Sequence, residues 1–162
     1  MRKYVVIATL LMLALGFGLV SAQEEEGPYE LTIMHTNDTH AAHEGDGDDG
    51  GVAIQASVVN QIRAEGGNNL LLDAGDRFSG TLFHTTYLGQ DQVPVMNALG
   101  YDAMTLGNHE FDNGDDVLAA FINGLDFPVV TANIDFSESA DLAGLVEPYT
   151  ILEVGGEQIG II

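Results

Sequence analysis

An α/β fold, with a parallel sheet and helices packed on it, is the architecture this sequence predicts. Three observations predict it. Short apolar runs alternate with stretches of helical periodicity. One of them, Leu70–Leu72, is apolar throughout rather than every second residue, as strands buried on both faces are. Three of them end in a cluster of Asp, Asn and His, and open α/β sheets bind their ligands beyond the carboxyl ends of the strands.

Taken in order, Leu31–His35 reads as the first strand, and Val52–Ile62 carries apolar residues at helical spacing. Leu70–Leu72 is a second strand between Asn and Asp. Gln92–Leu99 is helical with Pro94 in its first turn, where a missing N–H costs nothing. Ala103–Leu106 is a third strand, and Asp115–Ile122 a helix whose leading acids favour the dipole. Pro128–Ala132 is expected as a fourth strand. Tyr149–Val154 and Glu157–Ile162 form a β-hairpin on the Gly155-Gly156 turn.

The chemistry lies where strands end. Asn37-Asp38-Thr39-His40 follows the first, Asp73-Ala74-Gly75-Asp76 the second, and Gly107-Asn108-His109-Glu110-Phe111-Asp112 the third. In parallel strands these ends lie side by side, so the clusters converge. Asp38 and His40, two apart, point the same way in extended backbone. A carboxylate beside an imidazole is a donor pair for a borderline or hard divalent ion. Asp76, with two oxygens, can bridge two ions, and Asn108 offers an amide oxygen. Two metals ~3.5–4 Å apart activate water and clamp the oxygens of an in-line phosphoryl displacement. His109 is placed to stabilise a developing charge, with Asp112, three residues on, to hold its ring. Singly, each residue also reads as a turn or hydrogen-bonded strand-end residue; the ordered set of three clusters favours metal.

Composition narrows the class. The 162 residues hold 4 Lys and Arg, 25 Asp and Glu and no Cys, for a net charge of −21. Duplex nucleic-acid binding through a basic face is excluded, as are disulfides and thiolate metal sites. With 46% hydrophobic residues the chain can bury a core. Residues 1–22 read as a secretory signal peptide: Arg2 and Lys3, an apolar run, then Val20-Ser21-Ala22. The alternative is an uncleaved anchor, but the run is near the lower limit of the ~17–25 residues a spanning helix needs. Cleavage is therefore expected, leaving no membrane anchor and a periplasmic or extracellular protein. Residues 23–30 are an acidic N-terminal linker. Beyond the leader only Arg63 and Arg77 oppose all 25 acids, a balance that suits saline surroundings or bound cations.

The segments LTIMHTNDTH (Leu31–His40), LLLDAGDRFSG (Leu70–Gly80), MNALGYDAMTLGNHEFDNG (Met96–Gly114) and FPVVTANI (Phe127–Ile134) resemble the bacterial 5′-nucleotidase family of the calcineurin-like metallophosphoesterases. The ordered motifs D-x-H, G-D-x-x-x-G and G-N-H-E-F-D carry the likeness. The resemblance implies a four-layer α/β/β/α sandwich, with residues 31–162 as its N-terminal part, and two divalent metals. Zinc, manganese, iron and calcium are not distinguished. It implies that Asp38 and His40 bind one metal, Asp76 bridges both, Asn108 binds the other, and His109 with Asp112 forms the catalytic dyad. The substrates it implies are small-molecule 5′-nucleotides, or UDP-sugars or 2′,3′-cyclic nucleotides.

Two departures stand out. The family has Gly after the D-x-H histidine, where this chain has Ala41, whose methyl restricts a left-handed turn. The family's downstream G-H-x-H ligands and base-binding domain are not found, so the chain is expected to be a partial catalytic domain with weak metal binding and little turnover of its own. A thiosulfohydrolase relative of the same fold is an alternative reading, and a non-catalytic metal-binding protein a second. Asp46–Gly51 begins like a calcium loop but has Ser57 at position twelve, and reads as an acidic loop. Arg77 either contacts phosphate or pairs with an acid. His35 is expected buried, His43 and His84 exposed in loops, and Glu110 orienting its loop.

Overall fold

The computed structural model describes residues 27–45 and 50–162. The expected signal peptide and the acids Asp46, Asp48 and Asp49 lie outside the described residues. Three parallel strands form the main sheet in the order β1 (Leu31–Thr36), β2 (Asn68–Asp73), β3 (Ala103–Met104). Leu31 pairs with Asn68 and Thr36 with Asp73, and Asp73 pairs in turn with Met104. Thr36, Asp73 and Met104 thus share one row at the carboxyl edge, and the three polar segments leave the sheet side by side.

Among the described residues four α-helices accompany the strands: α1 (Gly51–Ala64), α2 (Leu82–Tyr87), α3 (Gln92–Leu99) and α4 (Asp115–Gly124). The core forms where Val59 of α1, Met96 of α3 and Leu118, Phe121 and Ile122 of α4 meet Leu71, Met104 and Phe78. Arg63, in the last turn of α1, donates to the Leu99 and Gly100 carbonyls at 2.6 Å each. A cation there satisfies carbonyls left over at the end of α3 and suits its dipole. Gly100 closes α3 in a left-handed cap, φ 69°.

The hairpin forms as expected, β4 (Thr150–Val154) with β5 (Glu157–Ile161), across a Gly155-Gly156 turn in which both φ angles are positive. A cavity of about 230 Å³ lies between it and the sheet, lined by Leu72, Ala103 and Ile161.

Three expectations need correction. Pro128–Ala132 is not a strand: it is tied by isolated parallel bridges, Met104 to Val129 and Val130 to Glu147. β3 gives it only two residues to pair with, because Gly107 donates its N–H to the Glu110 carboxylate instead of to a ladder. The helix α2 was not anticipated, since its six residues LFHTTY hold Thr and aromatics of middling propensity and cover less than two turns. His35 is exposed, on the sheet face with Ile33 and opposite Met34, which packs on the core.

Burial predicts the response to truncation. Phe121→Ala, at a fully buried position, should lower unfolding free energy by about 3–5 kcal/mol in denaturant titration. Ile54→Ala, on an exposed position of α1, should change it by about 0.5 kcal/mol or less.

Candidate metal centre

The loops that leave β1, β2 and β3 are stitched to one another by backbone and by one buried acid. Asp38 N donates to Gly75 O at 2.9 Å, His40 N to Asp76 O at 3.0 Å, and Ala41 N to Arg77 O at 2.9 Å. Glu110, fully buried in the short 3₁₀ turn His109–Phe111, accepts from the backbone N–H groups of Asp76 (2.9 Å), Arg77 (2.6 Å), Phe78 (3.3 Å) and Gly107 (2.6 Å). The expected orienting role of Glu110 is therefore what its contacts describe. Such close approach needs glycines. A Cβ on Gly75 would stand 2.2 Å from Gly107 N, and one on Gly107 would stand 2.1 Å from an Asp76 carboxylate oxygen.

The same stitching holds strained backbone. Asp38 (φ 51°), His40 (48°), Ala41 (53°), Asp76 (57°) and Ser79 (69°) are all left-handed, a conformation that costs a non-glycine residue roughly 1–2 kcal/mol. Asp38 and His40 are thus not extended as expected, yet they face each other, with His40 Nε2 4.0 Å from Asp38 Oδ1. Ala41 adopts the left-handed turn where the resembled family has Gly, with its methyl buried.

One ligand atom each from His40, Asp76 and His109 lie within 4.8 Å of one another. Donors on a single ion at ~2.1 Å bond lengths stand roughly 3–4 Å apart, so these three need to close by about an ångström. Their chemistry fits a borderline divalent ion. Both imidazoles are already oriented. His40 Nδ1 lies 3.0 Å from the Phe78 carbonyl and His109 Nδ1 2.7 Å from Asp112 Oδ2. Facing acceptors, each Nδ1 carries the proton, and each Nε2 is left free, as metal-binding or proton-transferring histidines require. The His109 backbone N–H also donates to Asp76 Oδ1 at 2.9 Å. Asn108 is exposed at the head of the turn, between two residues whose N–H groups are held.

Arg77 is buried, with its Nε 2.9 Å from Asp73 Oδ2 and its terminal nitrogens on Thr39 and Tyr101. Of the two roles considered, pairing with an acid is the one this geometry displays. Burial pushes the Asp73 carboxyl above its ordinary range, with Arg77 and the Thr36 hydroxyl pulling against it. The exposure expected for His84 and His43 is corrected. His84 is buried in α2 with Nε2 2.7 Å from Asn113 Oδ1, and His43 lies 2.6 Å from Asp91. Ser79 was missed: its hydroxyl donates to Asp112 at 2.5 Å. Its only sequence signal is its place inside the G-D-x-x-x-G segment.

The hydrogen bond with Asp112 raises His109 above its ordinary 6.5. Those with His109 and then Ser79 lower Asp112 below 3.8. The raised His109 contributes stability below its unfolded pKa, lost as pH rises through the folded value. The lowered Asp112 contributes above its unfolded pKa, lost as pH falls through the folded value. In metal-free protein, NMR titration of the His109 ring should give a midpoint above 6.5. In Asp112→Asn that midpoint should move down toward the ordinary histidine value.

A family model described as calcineurin-like phosphoesterase matches residues 31–161. The 5′-nucleotidase of Bos taurus is 44% identical over 167 residues, covering 94% of this chain and 29% of that protein. The solved 5′-nucleotidase precursor of Thermus thermophilus aligns with a TM-score of 0.77 at 46% identity, over 82% of this chain and 28% of that one. The NAD nucleotidase of Haemophilus influenzae aligns at 0.74 and 36%, over 82% and 26%. The chain thus spans less than a third of the length of these relatives. With the motifs in order and their loops gathered at one sheet edge, the chain belongs to the calcineurin-like phosphoesterase family.

Proposed function

We propose that this chain forms part of the catalytic centre of an exported phosphoesterase that hydrolyses 5′-nucleotides with two divalent metal ions. The reading rests on the convergence of His40 and Asp76, whose donor atoms can face an ion, with the His109 ring beside them and its Nδ1 held by Asp112. Asp38 and His40 would hold one ion, Asp76 would bridge, and Asn108 would hold the second. Divalent ions bound there supply Lewis-acid charge and lower the pKa of water. The names of the nucleotidases that this chain resembles support a nucleotide as substrate.

His109 acts as the proton donor of the dyad. Its Nδ1–H is bound to Asp112, so the ring presents Nε2 outward at a partly exposed position. The carboxylate stabilises the imidazolium, so the ring stays protonated and able to give up a proton to a leaving alkoxide. Export is supported by the leader-like sequence of residues 1–22. Among the described residues no helix is long and apolar enough to cross a membrane.

The test is hydrolysis of 5′-AMP to adenosine and phosphate, of UDP-glucose to UMP and glucose 1-phosphate, and of 2′,3′-cyclic AMP to the ring-opened monophosphate, by the intact protein with manganese or zinc. Activity abolished by chelator and restored by metal is expected, with His109→Ala lowering kcat by about 10²–10⁴-fold. Turnover of a thiosulfonate in place of every phosphate ester would move the substrate class to the thiosulfohydrolase relatives. Full activity in His109→Ala would remove its assigned role.

A further inference from the structure

The His109–Asp112 pair lies at the surface, with 36% and 42% of the two side chains exposed. An exposed aspartate ordinarily swings among rotamers, and the imidazole bound to it would swing too. Here a third group intervenes. The hydroxyl of Ser79 donates to Asp112 Oδ2 at 2.5 Å, the same oxygen that His109 Nδ1 approaches to 2.7 Å. Two donors from different loops thus converge on one carboxylate oxygen and select one orientation for it.

Ser79 reaches this position only by adopting φ +69°, which a non-glycine residue rarely does. It lies three residues after Asp76 on the same loop, and the Asp76 carboxylate accepts the His109 backbone N–H. The loop therefore grips His109 twice: at its backbone through Asp76, and at its ring through Ser79 and Asp112. Any shift of the metal-ligating loop carries the ring with it.

We propose that Ser79 is a positioning residue for phosphoryl transfer, fixing the His109 ring against the metal-ligand loop through Asp112. The proposal rests on the catalytic reading of His109. The variant that tests it is Ser79→Gly, which removes the hydroxyl while relieving the left-handed strain, so stability is retained or raised. In the intact, metal-loaded protein, Ser79→Gly should lower kcat about tenfold, the scale seen when an outer partner of a site ligand is removed, with KM within about twofold. In metal-free protein, the His109 Nδ1–H proton should give a resolved NMR resonance that broadens into the solvent in Ser79→Gly. A variant of unchanged melting temperature with lower kcat and a lost resonance supports positioning. Retention of the resonance overturns it, as does unchanged kcat in an active protein. If the parent hydrolyses no phosphate ester, the functional reading fails, and the resonance alone decides whether Ser79 holds the ring.

Discussion

The carboxylate of Glu110 accepts four backbone N–H groups, three from the loop after β2 and one from its own loop after β3. That arrangement ties the loop after β2 to the loop after β3. A buried carboxylate is costly unless its lone pairs are filled, and here both oxygens take two donors each. The bonds are charge-assisted, so each is stronger than an amide–amide bond. They bend Gly107 away from the sheet and bring Asp76 against His109. They also hold a loop whose left-handed residues would otherwise relax. A neutral amide at position 110 would turn one oxygen into a donor facing donors.

Charge is distributed unevenly in the chain. Past residue 26 the chain has two basic residues, and both are spent on structure. Arg63 closes the end of α3, and Arg77 is buried against Asp73 and Tyr101. No Lys or Arg is left among the described residues to meet a phosphate, while carboxylates dominate the surface. Metal ions held by Asp and His would invert the local field there.

Most of the strand order and the convergence of the three clusters could be read from the sequence, because apolar runs ending in polar residues report directly on a parallel sheet. The helix α2 could not, since its six residues lack both length and periodicity. The fourth strand failed because pairing depends on a partner: β3 stops at Met104 when Gly107 turns toward Glu110. Asp38 and His40 share a site through left-handed turns rather than through strand alternation, and backbone hydrogen bonds to Gly75 and Asp76 decide that. His84 lies in the one helix that was missed, so the partner that holds it, Asn113, was invisible too. Residue types named the candidate donors; tertiary hydrogen bonds set which of their atoms face one another.

The claim that one buried carboxylate organises the centre is tested most directly by hydrogen exchange in metal-free protein. The Arg77 and Gly107 amides lie outside the regular ladders, yet each donates to Glu110 at 2.6 Å. They should exchange within about tenfold of the buried Leu71 amide, which donates to Asp102 Oδ2 at 2.7 Å, as members of the same cooperative unit. Exchange of both at the rate of an unprotected loop would contradict it.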